Sequence, residues 1–129
     1  FKLNIKMTDC NITKITNDKT VTIVSFNVAS LTAGSDMDCV ARQISDLILN
    51  QKPKNLLVDF TGVKFFSSQT LGILLDARKK ITAQKANMAI SGINPQLYRV
   101  FKITNLDKLF RFYPDAQSAV DELAKTQKN

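Results

Sequence analysis

The sequence predicts one α/β domain with a mostly parallel central sheet, an N-terminal hairpin and about four helices. Three observations predict it. Short β-rich or apolar runs alternate with stretches whose apolar residues recur at helical spacing. Turn residues punctuate nearly every change of period. The chain has 129 residues, 44% hydrophobic and 22% charged, enough for one hydrophobic core and too little for a second, so residues 1–129 are read as a single domain.

Residues 12–15 and 21–28 are β-rich, and Asn17-Asp18-Lys19 between them has turn composition, which predicts an antiparallel hairpin. After the loop at residues 32–35, Val40, Ile44, Leu47 and Ile48 recur at helical spacing, with Ser35 or Asp36 placed to cap the start. This helix is expected to run to about Asn50, where Lys52-Pro53-Lys54 breaks it. Residues 55–60 then form a short apolar run of the kind found in strands buried on both faces. Leu71, Leu74, Leu75, Ala77 and Ile81 predict a second helix that begins directly after Ser67-Ser68-Gln69-Thr70. Residues 87–91 read as another strand. Asn94 and Pro95 are an N-cap and first-turn pair for a third helix, with Leu97, Val100, Phe101 and Ile103 as its apolar face and Asn105 as its left-handed stop. Residues 109–112 suggest a last strand, and residues 115–125 a terminal helix with Ala116, Ala119, Val120 and Leu123 inward. Strands separated by helices in this order imply parallel pairing.

Composition narrows the function. Histidine is absent, which removes the commonest general base, the Ser/His and Cys/His pairs and most zinc sites. The four glycines, Gly34, Gly62, Gly72 and Gly92, cannot write a dinucleotide or Walker-type phosphate loop. No catalysis, cofactor or metal is expected. No apolar run approaches the roughly 20 residues of a bilayer span, so no membrane insertion is expected. Cys10 and Cys39 stand alone with no C-x-x-C spacing, and are read as two reduced thiols of a cytoplasmic protein. The chain begins at Phe1 with no apolar signal stretch behind it, and is read as a segment whose natural N-terminus lies upstream.

The net charge is +7, which raises the question of nucleic acid or an anionic surface. The basic residues are scattered, and only Arg78-Lys79-Lys80 forms a run, which reads as the solvated face of a helix. Nucleic acid is therefore not the expected partner. Arg78, Lys79, Lys80 and Lys85 are the footprint to test if an anionic ligand binds. An acidic protein partner also suits the charge.

The most distinctive loop is residues 61–70, Thr-Gly-Val-Lys-Phe-Phe-Ser-Ser-Gln-Thr, at the carboxyl end of an expected strand, where open α/β sheets place function. Two adjacent aromatics precede three hydroxyl side chains at a helix start. A purely structural role explains the same residues, with the phenylalanines in the core and Ser67 or Ser68 as an N-cap. Asp59 and Asp76 frame the loop, but an acid/base pair needs an approach that sequence does not show. Lys64 lacks the S-x-x-K spacing that would activate a serine.

The stretch from Leu57 to Leu75 resembles the signature of the STAS domain, a family found in anti-sigma factor antagonists and in the cytosolic parts of sulfate transporters. The family pattern is a strand ending in Asp-x-Ser/Thr-x-Val, followed by Asp-Ser-Ser/Thr-Gly-Leu-Gly leading into a helix. Asp59, Thr61 and Val63 match the first part, and Ser68, Leu71 and Gly72 the second. Ser67 stands where many members carry Asp, Thr70 where they carry Gly, and Asn105 where Gly is frequent. The segment from Ile90 through Val120 resembles the family's tail, so the likeness covers nearly the whole chain.

The resemblance implies a STAS-like fold and a bacterial signalling protein that regulates transcription, an anti-sigma factor antagonist. Its implied partner is an anti-sigma serine kinase of histidine-kinase-like fold, engaged in partner switching. Ser68 is the implied phosphoacceptor, with Ser67 and Thr70 as alternatives, and Lys64, Phe66, Ser67 and Gln69 the implied partner-binding residues. The alternative role is a non-phosphorylated STAS regulatory or scaffold subunit of a stressosome-like or transport complex. The sequence sets no expectation for oligomeric state.

Overall fold

The computed structural model describes residues 10–32 and 35–127. Their order is β1 (Thr13–Asp18), β2 (Val21–Phe26), β3 (Ser30–Leu31), α1 (Ser35–Asp46), β4 (Asn55–Asp59), β5 (Phe65–Phe66), α2 (Ser68–Ala83), β6 (Asn87–Ser91), α3 (Pro95–Ile103), β7 (Arg111–Tyr113) and α4 (Ala116–Gln127). A five-stranded sheet runs β1-β2-β4-β6-β7, and β3 pairs with β5 in a separate two-stranded sheet. Among the described residues β1–β2 alone is antiparallel, with Asp18 opposite Val21; the other pairs are parallel. The expected α/β class, hairpin, mostly parallel sheet and four helices are all present.

Why β4 lies at the centre follows from its side chains. Alternate residues of a strand face opposite sides of a sheet, and Leu56, Leu57 and Val58 are all buried. Leu56 and Val58 join the larger core with Val40 and Ile44 of α1, Leu74 and Ile81 of α2 and Phe101 of α3. Leu57 faces the other way, into a smaller core of Val21, Ala89, Ala119, Val120 and Leu123. Thus α1, α2 and α3 cover one face, and α4 packs on the other. At the lower end of the sheet, buried Asn55 donates through Nδ2 to the Thr20 carbonyl and hydroxyl, and its Oδ1 accepts from Asn87 Nδ2. This amide row satisfies polar groups that burial would otherwise penalise.

Several boundaries differ from the sequence reading. α2 starts at Ser68, three residues before its first apolar position, because the polar first turn carries no periodic signal. Helix α1 is followed by a π-helical turn (Leu47–Gln51), which ends at Lys52 in the left-handed region (φ 48°), its N–H donating to Ile48 O at 3.2 Å. The third helix matches: the Asn94 side chain accepts from Leu97 N–H at 2.9 Å, and Asn105 has φ 63°. Ile103, expected inward, is 74% exposed. It lies two residues past buried Phe101, about 200° around the helix. The last strand begins at Arg111, leaving Leu109 in the preceding turn.

The reading of Cys10 and Cys39 as free thiols is overturned. They form a disulfide, with Cα atoms 6.0 Å apart and a sequence separation of 29. No local spacing announces it, because packing of α1 beside the start of β1 makes it: the Thr13 hydroxyl meets Gln43 Oε1 at 2.5 Å, one turn of α1 beyond Cys39.

Two tests follow from this architecture. Leu57→Asp places an unpaired charge among apolar side chains, and is expected to abolish cooperative unfolding in circular dichroism; an intact melt would remove Leu57 from the core. Cys39→Ser is expected to lose about 2–4 kcal/mol in denaturant titration, the usual worth of a bridge closing a loop of this size. An unchanged midpoint against the oxidised parent would show that the bond contributes nothing.

Candidate functional site

The site grows from the carboxyl end of β4. Asp59 Oδ1 accepts from Ser91 Oγ of β6 at 2.9 Å and from Thr61 Oγ1 at 2.8 Å, with the Thr61 N–H at 3.3 Å. One carboxylate thereby ties two parallel strands to the loop that leaves β4. Gly92 makes room for it: at φ +65°, a Cβ there would overlap Thr61 Oγ1 and lie 2.9 Å from Asp59 Oδ1. Asp76, the other carboxylate framing the loop, pairs along α2 with Lys80 at 2.7 Å, whereas Asp59 is engaged by Thr61 and Ser91.

Beyond Val63, the chain is held by backbone bonds to the β2–β3 connection. The N–H groups of Lys64 and Phe65 both donate to Ala29 O, and Ser67 N–H donates to Leu31 O at 2.9 Å. The same Leu31 carbonyl receives the Thr70 hydroxyl at 3.4 Å. A single acceptor on β3 therefore fixes both sides of the α2 start. Phe66 faces inward, its ring 5.9 Å from both Phe60 and Phe101. Phe65, its neighbour, is turned outward and 61% exposed.

The three hydroxyls differ sharply. Ser67 is the N-cap residue of α2, but its side chain makes no cap bond, and its Oγ is buried without a partner among the described residues. Thr70 is only 3% exposed. Ser68, first residue of the helix, is exposed. An anion on it would meet the positive end of the helix dipole. Gln69 Nε2 reaches Asp38 Oδ1 of α1 at 2.9 Å, which brings a carboxylate beside the residue following Ser68.

The structure thus gathers Lys64, Ser67, Ser68, Gln69 and Thr70 at one helix start, with Lys64 exposed and Phe66 beneath the surface. Sequence reasoning missed Phe65, Asp38, Ser91 and Gly92. Glycine directly after a strand was the available signal for the last; nothing local distinguishes Phe65 from Phe66. The basic footprint expected for an anionic ligand is divided, since Arg78 Nε donates to Leu109 O at 2.8 Å while Lys80 turns to Asp76 and Ser45. Among the described residues no group of three or more His, Cys, Asp or Glu could hold a metal, and no helix is long and apolar enough to cross a membrane.

A sheet of this order with a serine-bearing helix at the end of its central strand defines a class, and the STAS domain family model matches residues 11–119. The chain belongs to the STAS domain family. An anti-sigma F factor antagonist of Paenibacillus polymyxa is 26% identical over 86 residues, covering 67% of this chain and 74% of its own. The solved structure of an anti-sigma-factor antagonist (STAS) domain protein from Planctomyces limnophilus superposes with a TM-score of 0.79 at 23% identity, over 87% of this chain and 97% of that one. The phosphorylated form of the Bacillus cell fate determinant SpoIIAA gives 0.69 at 14% identity, over 85% and 97%.

Gly92→Ala is expected to destabilise the domain by at least about 2 kcal/mol, from left-handed strain and overlap with Thr61. In a Thr61→Ala background the same substitution should cost less, because the overlapped oxygen is gone. Strictly additive costs in the double-mutant cycle would show that the two residues do not touch.

Proposed function

We propose that this domain is an anti-sigma factor antagonist that binds an anti-sigma serine kinase and is switched by phosphorylation of Ser68. One observation carries the choice of residue: of the three neighbouring hydroxyls, Ser68 alone is exposed, while Ser67 Oγ is buried and Thr70 is buried against Leu31 O. The relatives' role as anti-sigma antagonists supports the partner class.

The domain catalyses nothing itself in this reading, needs no cofactor and works in the cytoplasm, where reducing conditions hold the Cys10–Cys39 pair open. The kinase supplies ATP and base: Ser68 Oγ attacks the γ-phosphorus, its proton passes to the kinase, and ADP leaves. The product adds about −1.5 to −2 charges at the helix start. The α2 dipole accommodates them, so the fold persists. The Asp38 carboxylate, held by Gln69, adds negative charge on the same side. Release of the partner then arises from repulsion and steric conflict at the surface formed by Lys64, Ser67, Ser68 and Gln69, which Phe66 supports from below.

The test uses an anti-sigma kinase from the same genome, with binding, phosphorylation and stability measured on the same variants. Ser68→Glu is expected to weaken binding at least about tenfold, whereas Ser68→Ala keeps binding and takes no phosphate. Neither should change the unfolding free energy by more than about 0.5 kcal/mol in denaturant titration, since Ser68 is exposed and is not the cap. Phosphate on Ser67 or Thr70 instead, or on none of the three by peptide mass spectrometry, would overturn the Ser68 switch.

A further inference from the structure

The outer face of α3 is a second surface that the Ser68 site does not use. Its exposed residues, Pro95, Gln96, Arg99, Lys102 and Ile103, recur three and four apart, so they form one strip along the helix. A face turned to solvent is normally polar at such positions. This strip instead ends in Ile103, 74% exposed, the most exposed large hydrophobic side chain among the described residues. At its other end a shallow, mainly apolar cleft of about 450 Å³ joins Pro95 and Gln96 to Lys64 and Phe65. Phe65 is the next most exposed, at 61%. Residues 95–103 place the two ends of the strip about 12 Å apart at 1.5 Å per residue.

The charge on the strip has one sign. Arg99 and Lys102 lie between the apolar ends, Lys64 lies beside Phe65, and α3 contains no acidic residue. No ion pair among the described residues engages Lys64, Arg99 or Lys102. Lys102 near the helix C-terminus is favourable for the dipole, but that accounts neither for Arg99 nor for two unpacked apolar side chains.

We propose that this face docks on an anionic lipid bilayer, with Arg99, Lys102 and Lys64 at the headgroups and Phe65 and Ile103 entering the interface. Charge complementarity identifies the occupant, since anionic headgroups attract clustered cations while the interface receives single apolar side chains. The form of the surface favours lipid over an acidic protein. The strip mixes cations with apolar groups along its length, whereas a protein-binding patch usually keeps a charge-depleted apolar centre inside a polar rim. The contact centres on α3 and meets the Ser68 surface only at Lys64, which both would use.

The probe is a phosphatidylcholine vesicle containing about one third phosphatidylglycerol, used in co-sedimentation with the oxidised full chain. Arg99→Glu/Lys102→Glu is compared with Lys14→Glu/Lys54→Glu, which has the same net charge but alters exposed lysines outside the strip. Thermal melts establish that each variant is folded. The first pair is expected to lower affinity at least about tenfold and the second no more than about threefold. Phe65→Ser/Ile103→Ser is expected to remove the binding that survives at high salt, where charge is screened. Absence of wild-type binding to these vesicles, equal losses for the two charge variants, or no effect of the apolar pair would overturn the proposal. Wild-type binding to polyglutamate through Arg99 and Lys102 without vesicle binding would overturn it in favour of an acidic protein.

Discussion

Everything in this fold is referred to a strand with no solvent face. β4 is paired on both edges and buried on both sides, so Leu56, Leu57 and Val58 are each a point where a separate layer must fit. A shift of one residue in its register would exchange the two cores. The last residue, Asp59, converts that positional certainty into polar chemistry, since its carboxylate gathers Ser91 and Thr61 just where the chain leaves the sheet. The loop and the start of α2 inherit their position from a place where little movement is possible.

A second chain of contacts connects the interior to the surface. Phe26 stacks on Phe60, Phe60 meets Phe66, Phe66 meets Phe101, and Phe101 touches both Phe110 and Phe112. Rings in edge-on and offset contact fill volume with few rotamers, so α3, β5 and β7 are set against one another. With Phe66 committed to this row, alternation along β5 turns Phe65 outward. Core packing therefore sets the direction in which residue 65 points, and leaves its identity to the surface.

Legibility in the sequence followed periodicity and local backbone chemistry. β4 and β6 were readable as bounded apolar runs, and Asn94-Pro95 and Asn105 as a helix start and stop, because each acts through its own backbone. The two-residue strands β3 and β5 left no trace, as two residues define no period. Ile103 has the chemistry of a core residue, but its angle from Phe101 puts it in solvent. The hydroxyl cluster was recognisable as unusual, yet which oxygen faces water depends on Leu31, some 37 residues before Ser68, and no local pattern encodes that contact. The same is true of Cys10 and Cys39, whose meeting is decided by how α1 lies beside β1.

That meeting reaches further than its own neighbourhood. Cys39 follows Asp38 directly, and Asp38 is the residue through which α1 holds Gln69 at the start of α2. A covalent tether and the polar contact that steadies the Ser68 turn are therefore adjacent on one helix. Glutathione-rich and oxidising surroundings favour different covalent states of that tether. The same sequence would then present its serine from a helix start steadied by a covalent bond in one compartment and by packing alone in the other, and the looser form carries the larger entropic cost when a partner immobilises it.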